Sequence, residues 1–228
     1  YGTPISQSQN PADNSGILRY VRIEYAGYAF LPDKEINGLT LGGVGNQTVI
    51  DYVQVAYAND DSFEWFGGTV NCKHLIAYKG LDDDFDTDNG YSGKVQFAIG
   101  FRDSSVADIS GSNGFESDND AGGSATLPQT SAVFSNVTLV GPRATLSNVG
   151  NSNFKRGIHA RRNSAISVFN TIVMGWPTGW LVDASTGTCT DLNLTGSSPK
   201  AVYANNMVAG NSTQLNYTPN QTNPTTFI

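Results

Sequence analysis

The chain has 228 residues, of which 25 are glycine, and only 14% of its residues are charged. Its formal net charge of −7 argues against nucleic acid as a partner, because phosphate binding requires clustered Lys and Arg. No apolar run approaches the ~18–20 residues of a membrane-spanning helix.

Residues 1–16 carry no regular pattern, and the first strand-like sequence begins at Ile17. Residues 18–26 match residues 50–58, and residues 132–141 match residues 201–210, with a related stretch at 167–175 between them. Each stretch alternates β-branched or aromatic residues and then ends at a corner, which is typical of a strand. The repeat predicts stacked coils over residues 17–210. The Asn, Gln, Thr and Pro of residues 211–228 predict an irregular tail.

A second repeat aligns five segments of five residues without gaps: 62–66, 84–88, 114–118, 157–161 and 179–183. The second residues of successive segments are 22, 30, 43 and 22 residues apart, as expected for coils of a parallel β-helix with loops inserted at corners. Side chains alternate along a strand, so these positions should point inward. They are Phe63, Phe85, Phe115, Ile158 and Trp180. The residues one position later should form an outward column: Glu64, Asp86, Glu116, His159 and Leu181. The residues three positions later should form a second outward column beside it: Phe66, Asp88, Asp118, Arg161 and Asp183.

These repeats predict an all-β fold, a right-handed parallel β-helix. A β-sandwich would need frequent hairpin turns of the Asn-Gly kind, and such turns are scarce. The two cysteines, Cys72 and Cys189, would lie several coils apart. Since a disulfide needs Cα atoms within about 7 Å, we expect two buried free thiols.

Residues 18–38, 57–69 and 79–88 resemble a family of secreted or lipid-anchored β-helix proteins of Bacteroidetes. The resemblance extends from about Asp13 to Gly210. It implies a secreted or cell-surface location, often reached through the type IX secretion route. Members of that family usually carry a further N-terminal half with its own coils. The resemblance therefore implies a fold and a location, and no activity.

The outward acidic residues would stack about 4.8 Å apart on neighbouring coils, where like charges oppose one another. Four kinds of compensation remain open: a bound cation, raised pKa values, the neighbouring Arg161 and His159, or solvent. Ca²⁺ prefers six to eight oxygen ligands, and the sequence offers many carboxylates here, although the EF-hand pattern fails at Gly90 and Val95. The candidate metal ligands are Asp84, Asp86, Asp88, Glu116, Asp118 and Asp120. The other interpretation is a solvated acidic face neutralised by Arg161 and Arg162.

We predict a non-catalytic extracellular or cell-surface module that binds glycan, weakly, or mediates adhesion. Its candidate ligand-binding residues are Trp176, Arg161, Arg162 and His159, and Trp176 is expected to be exposed in a turn. One alternative is a polysaccharide lyase or glycoside hydrolase, because paired carboxylates can cleave glycosidic bonds. Its catalytic residues would be Asp86, Asp88, Glu116, Asp118, His159 and Arg161. The other alternative is a structural spacer.

Overall fold

A computed structural model describes residues 10–28, 36–143, 150–188, 190–195, 197–198 and 200–220. Within these residues the chain forms sixteen β-strands and one short 3₁₀ helix, Thr190–Leu194. In chain order the strands are β1 Ile17–Glu24, β2 Leu39–Gly42, β3 Val49–Ala56, β4 Phe63–Phe66, β5 Asn71–Tyr78, β6 Phe85–Asp88, β7 Lys94–Phe101, β8 Phe115–Ser117, β9 Val133–Val140, β10 Arg156–Arg161, β11 Ser167–Phe169, β12 Ile172–Met174, β13 Thr178–Asp183, β14 Tyr203–Ala204, β15 Met207–Ala209 and β16 Thr213–Thr218.

The strands form two parallel sheets, and the chain passes from one to the other in every coil. The long sheet runs β1-β3-β5-β7-β9-β11-β14, with β12 and β15 continuing its later coils. The short sheet runs β2-β4-β6-β8-β10-β13-β16. Crossover connections between parallel strands are almost always right-handed. The fold is a right-handed parallel β-helix, which confirms the prediction.

Each eight-residue strand of the long sheet is bent at one residue with left-handed backbone geometry. In the first three coils this residue is Tyr20, Tyr52 or His74, with φ of 57°, 54° and 53°. The parallel pairing skips it and resumes on the next residue. In the coil of β11 and β12 the same position, Asn170, separates two short strands. The bend shifts the inward–outward alternation by one residue, so the two halves of the strand face different sides of the solenoid.

The core is a continuous stack of aromatic and aliphatic side chains. Phe63, Phe85 and Phe115 are fully buried and paired in register, as the sequence predicted. The ring centroids of Phe63 and Phe85 lie 5.5 Å apart, and those of Phe85 and Phe115 lie 5.6 Å apart. Burying one such side chain contributes about 1.5–3 kcal/mol, so this stack stabilises the short sheet.

The prediction of an irregular tail is wrong in part, and the prediction of free cysteines is confirmed for one of the two. The tail from residue 211 is not irregular throughout, because Thr213–Thr218 pairs in parallel with β13 and adds a strand to the short sheet. Asn and Thr side chains, which suggested a loop, occupy its outward positions. Cys72 is a buried free thiol, whereas Cys189 lies outside the described residues.

Candidate functional site

The acidic residues of the short sheet stack in the register that the sequence predicted. Glu64 pairs with Asp86, Asp86 with Glu116, and Glu116 with His159. The surrounding corner adds carboxylates that the prediction left out, above all Asp61. Ligand oxygens of Asp61, Glu64 and Asp86 lie within 4.8 Å of one another, as do those of Asp83, Asp86 and Glu116. With Asp60 and Asp82, which group with Asp61, these residues form what we call the acid cluster.

The corner before each short strand holds the deepest members of the acid cluster in place. One Asp61 carboxylate oxygen accepts the backbone N–H of Asp83 at 2.8 Å, and Asp83 in turn accepts the backbone N–H of Asn113. Both aspartates are buried. Each lies two residues before an inward phenylalanine, so the repeat that stacks the phenylalanines also stacks these carboxylates.

The pKa values of the acid cluster differ sharply along the solenoid. Burial, reinforced by the charges of Glu64 and Glu116, raises the pKa of Asp86 well above its ordinary value. Burial likewise raises the pKa of Glu64 to about 8. Glu116 behaves in the opposite way. Burial opposes its charge, but the hydrogen bond with His159 and the positive charge of Arg161 hold its pKa below the ordinary value.

The coils that follow place basic side chains against the acidic column. His159 is almost fully buried, with Nδ1 3.3 Å from Glu116 and Nε2 3.3 Å from Asp183. Arg161 donates to both Glu116 and Asp118, and Arg162 Nη1 donates to Asp118 at 2.8 Å. Salt-bridge neutralisation, one of the four open possibilities, therefore applies to this end of the acidic column. It leaves Asp61, Asp83 and Asp86 without a paired cation among the described residues.

Four predicted metal ligands lie apart from the acid cluster, and one of them is Asp118, whose carboxylate is paired with Arg161 and Arg162. Asp84 is fully buried and paired with Arg102 at 2.9 Å, because the short strand begins at Phe85 and strand alternation does not extend back to Asp84. Asp120 accepts the backbone N–H groups of Gly122 and Ser124 and closes its own loop. Asp88 accepts the backbone N–H of Asn89 at 2.6 Å and belongs to none of the close carboxylate groups found among the described residues.

The prediction that Trp176 is exposed is wrong. We expected it to be exposed for sugar stacking, but it is fully buried. Three glycines make room for its ring: a Cβ atom at Gly141, Gly157 or Gly114 would approach ring atoms of Trp176 to 2.8, 3.0 and 3.2 Å. Of the other predicted ligand-binding residues, His159 is enclosed, and Arg161 and Arg162 are engaged with carboxylates.

The acid cluster has the donor set that a hard cation requires. Asp86 Oδ1, Asp82 Oδ1 and Asn113 Oδ1 are buried and have no hydrogen-bond partner among the described residues. A buried polar atom left unsatisfied costs about 1–3 kcal/mol, and Ca²⁺ prefers carboxylate and carbonyl oxygens. Either of two groups of carboxylates that share Asp86 could hold such an ion through oxygen atoms alone: Asp61, Glu64 and Asp86, or Asp83, Asp86 and Glu116.

A second candidate site lies on the long sheet, at the bends of β1, β3, β5 and β7. The four residues at these bends, Tyr20, Tyr52, His74 and Phe97, stack as what we call the aromatic column. Successive ring centroids are 4.8, 4.2 and 5.3 Å apart, with interplanar angles of 8–13°. Tyr52 and Phe97 are 43% and 45% exposed. The sequence prediction missed this column.

The aromatic column forms one side of a groove of about 670 Å³. The other side is a parallel column of outward residues paired in register: Arg22, Gln54, Ile76 and Ile99. The residues between the two columns, such as Val53 and Leu75, point into the core and leave their backbone beneath the groove. Asn136 lies at the end of the groove in the next coil. We call this feature the aromatic groove.

Among the residues that the structure describes, no helix is long and apolar enough to cross a membrane. No curated protein and no solved structure matches the chain significantly. A family model described as a pectate-lyase-like β-helix domain matches residues 7–226. The chain therefore belongs to the family of pectate-lyase-like β-helix domains.

Proposed function

We propose that this chain is a non-catalytic carbohydrate-binding module that holds its glycan in the aromatic groove. The family description fits a carbohydrate-related module. The observation that carries the proposal is the choice of residue at the bends. Tyr20, Tyr52, His74 and Phe97 are bulky residues at positive φ, whereas the following three coils use Asn136, Asn170 and Asn205 at the same position.

Asparagine and histidine adopt left-handed geometry more readily than tyrosine and phenylalanine do. A strain of about 1–3 kcal/mol per residue therefore applies to Tyr20, Tyr52 and Phe97. Strained residues concentrate at functional sites because function, and not stability, keeps them. The four aromatic bends coincide with the groove, and asparagine returns where the groove ends. A structural spacer, the simplest alternative, has no need for this difference.

The chemistry of the groove suits a sugar. Ligand sites combine apolar and aromatic walls with a few polar groups that fix orientation. Here the walls are aromatic and aliphatic, and the polar groups are the amides of Gln54 and Asn136 and the guanidinium of Arg22. The floor is strand backbone that the parallel sheet holds rigid.

We further propose a secreted or cell-surface location, as the resemblance to Bacteroidetes β-helix proteins implies, and a Ca²⁺ ion in the acid cluster. Extracellular Ca²⁺ would neutralise the stacked carboxylates that have no paired cation within the described part of the chain. In this proposal Ca²⁺ stabilises the solenoid, and the glycan binds on the other sheet.

The sharpest test is Tyr52→Asn, with Tyr57→Asn as its matched control. Tyr57 also has positive φ and stacks on Tyr25, but it does not line the aromatic groove. We expect Tyr52→Asn to weaken glycan binding at least tenfold, about 1.4 kcal/mol. Its free energy of unfolding should change little, because relief of strain offsets the loss of two stacking contacts, on Tyr20 and His74, of about 0.5–1.5 kcal/mol each.

Binding would be measured by calorimetry with the glycan that a glycan array selects, and stability by urea unfolding. The control should bind as the wild type does. A Tyr52→Asn variant that binds the glycan as tightly as the wild type does would contradict the proposal, and so would equal losses of affinity in both variants.

The enzyme alternative retains one supporting observation. Asp86, with a raised pKa, and Glu116, with a lowered one, lie close together, as a general acid and its ionised partner must. Against it, Asp61, Glu64 and Asp83 around this pair are buried, which leaves a polymer little access.

We therefore expect no cleavage of neutral or acidic polysaccharides. The measurement is the release of reducing ends and of unsaturated uronate absorbance, with and without Ca²⁺. Turnover that disappears in Asp86→Asn or Glu116→Gln, but persists in Asp103→Asn in the loop after β7, would establish the enzyme instead.

A further inference from the structure

The rings of the aromatic column cannot serve as ordinary sugar-stacking platforms. Their planes are nearly parallel and successive, so each inner ring face is covered by its neighbour: Tyr52 lies between Tyr20 and His74, and His74 lies between Tyr52 and Phe97. What the column presents to the groove is a series of ring edges. Aromatic edges carry the positive end of the ring quadrupole, so they favour oxygen atoms of a ligand.

The groove is periodic along the solenoid axis. Its coils are related by parallel, in-register pairing, which sets a repeat of about 4.7–4.9 Å. Each coil offers one ring edge on one side and one outward side chain, such as Gln54 or Ile76, on the other. A ligand with a similar repeat would meet one ring edge in every coil. An extended chain of linked sugar units repeats along its length in this way, whereas a single compact sugar does not.

Within the described residues, the groove spans five coils. Four of them contribute a ring, and the fifth contributes the amide of Asn136. The opposite side changes along the same path, from Arg22 and Gln54 to Ile76 and Ile99. A chain lying in the groove would therefore meet polar partners at one end and apolar ones at the other.

We propose that the aromatic groove holds a linear, unbranched glycan parallel to the solenoid axis, with one sugar per coil over four coils. This inference rests on the proposed function and specifies its ligand class. Sugar hydroxyl and ring oxygens lie against the ring edges, and binding strength depends on chain length because each coil adds one more ring edge.

The test uses the full chain and linear 1,4-linked gluco-, xylo-, manno- and galacturono-oligosaccharides of one to six units, with affinity measured by calorimetry. In the series that binds, affinity should increase several-fold with each sugar up to four and then stay constant. Phe97→Asn, which gives the fourth coil the residue of the fifth, should move this plateau from four sugars to three. Phe101→Asn, on the same strand but outside the groove, should leave the plateau at four.

The outcomes separate the two proposals. Failure of every series and of every array glycan to bind would overturn both. Binding that is lost in Tyr52→Asn but is equally strong for one sugar and for six would retain the proposed function and overturn the lengthwise arrangement. A plateau at four that Phe97→Asn does not shift would also overturn it.

Discussion

Neighbouring carboxyl groups of the acid cluster respond to the same fold in opposite ways. Glu64 and Asp86 meet burial and like charge, so their pKa values rise. Glu116, one coil further, meets His159 and Arg161, so its pKa falls. Among these three carboxyl groups, nearby positive charge lowers the pKa of Glu116 alone. Folding therefore favours the protonated form of Glu64 and Asp86 and the ionised form of Glu116.

This difference predicts the pH dependence of stability for Glu64→Gln. Because folding raises the pKa of Glu64 from 4.5 to about 8, its contribution is fully present below about pH 4.5 and is lost as the pH rises through 8. Without divalent cations, Glu64→Gln should match the wild type at pH 4.5. At pH 8.5 it should exceed the wild type by about 1–3 kcal/mol, and urea unfolding at both pH values measures this.

The control for that experiment is Glu116→Gln, which should have the opposite dependence. Folding lowers the pKa of Glu116, so its contribution is present above the unfolded value and is lost as the pH falls. This variant should be destabilised at pH 7 and much less so near pH 3. Parallel pH profiles for the two variants would contradict the electrostatic interpretation.

At the scale of strands, the short sheet could be predicted closely and the long sheet could not. The short strands contain no bend, so simple alternation places Phe63 and Phe85 inward and Glu64 and Asp86 outward. The long strands follow a different pattern, in which inward residues come at spacings of three and then two, as in Ile50, Val53 and Val55. A repeated break in alternation is the sequence signal of the bend.

The same break explains why the aromatic groove was missed. Strict alternation would place Tyr25 in the core, yet it is 71% exposed, because the bend at Tyr20 shifts the phase and Tyr25 itself has positive φ. Aromatic residues are uncommon in that conformation, so composition offers no hint of it. Asp61 was missed for a simpler reason. It precedes Phe63 by the interval at which Asp83 precedes Phe85, and extending the aligned repeat by two residues would have included it.

At the scale of the whole molecule, the two sheets carry different chemistry. The short sheet concentrates buried carboxylates on its early coils and ion pairs on its later ones. The long sheet exposes aromatic and aliphatic side chains along β1, β3, β5 and β7, with only scattered ion pairs such as Arg19–Asp51. A rigid solenoid keeps these surfaces separate, so cation binding and glycan binding should be independent.

Ca²⁺ should therefore stabilise the solenoid without changing glycan affinity. Binding to the folded state alone adds about 2.7 kcal/mol at a hundredfold excess over Kd, which for a domain of this size raises Tm by roughly 5–10 °C. Asp86→Asn, which removes a carboxylate shared by two of the close groups, should abolish most of this increase. Asp103→Asn, which alters a carboxylate paired with Lys79 outside the acid cluster, should retain it.

Thermal melts at pH 7.5 with millimolar Ca²⁺ or with chelator measure the change in Tm. Calorimetry with the glycan under both conditions measures whether Ca²⁺ binding changes the glycan affinity. A Tm that neither Ca²⁺ nor chelator changes would contradict the proposed cation and would leave protonation of Glu64 and Asp86, with the ion pairs of Glu116, to compensate the stacked carboxylates.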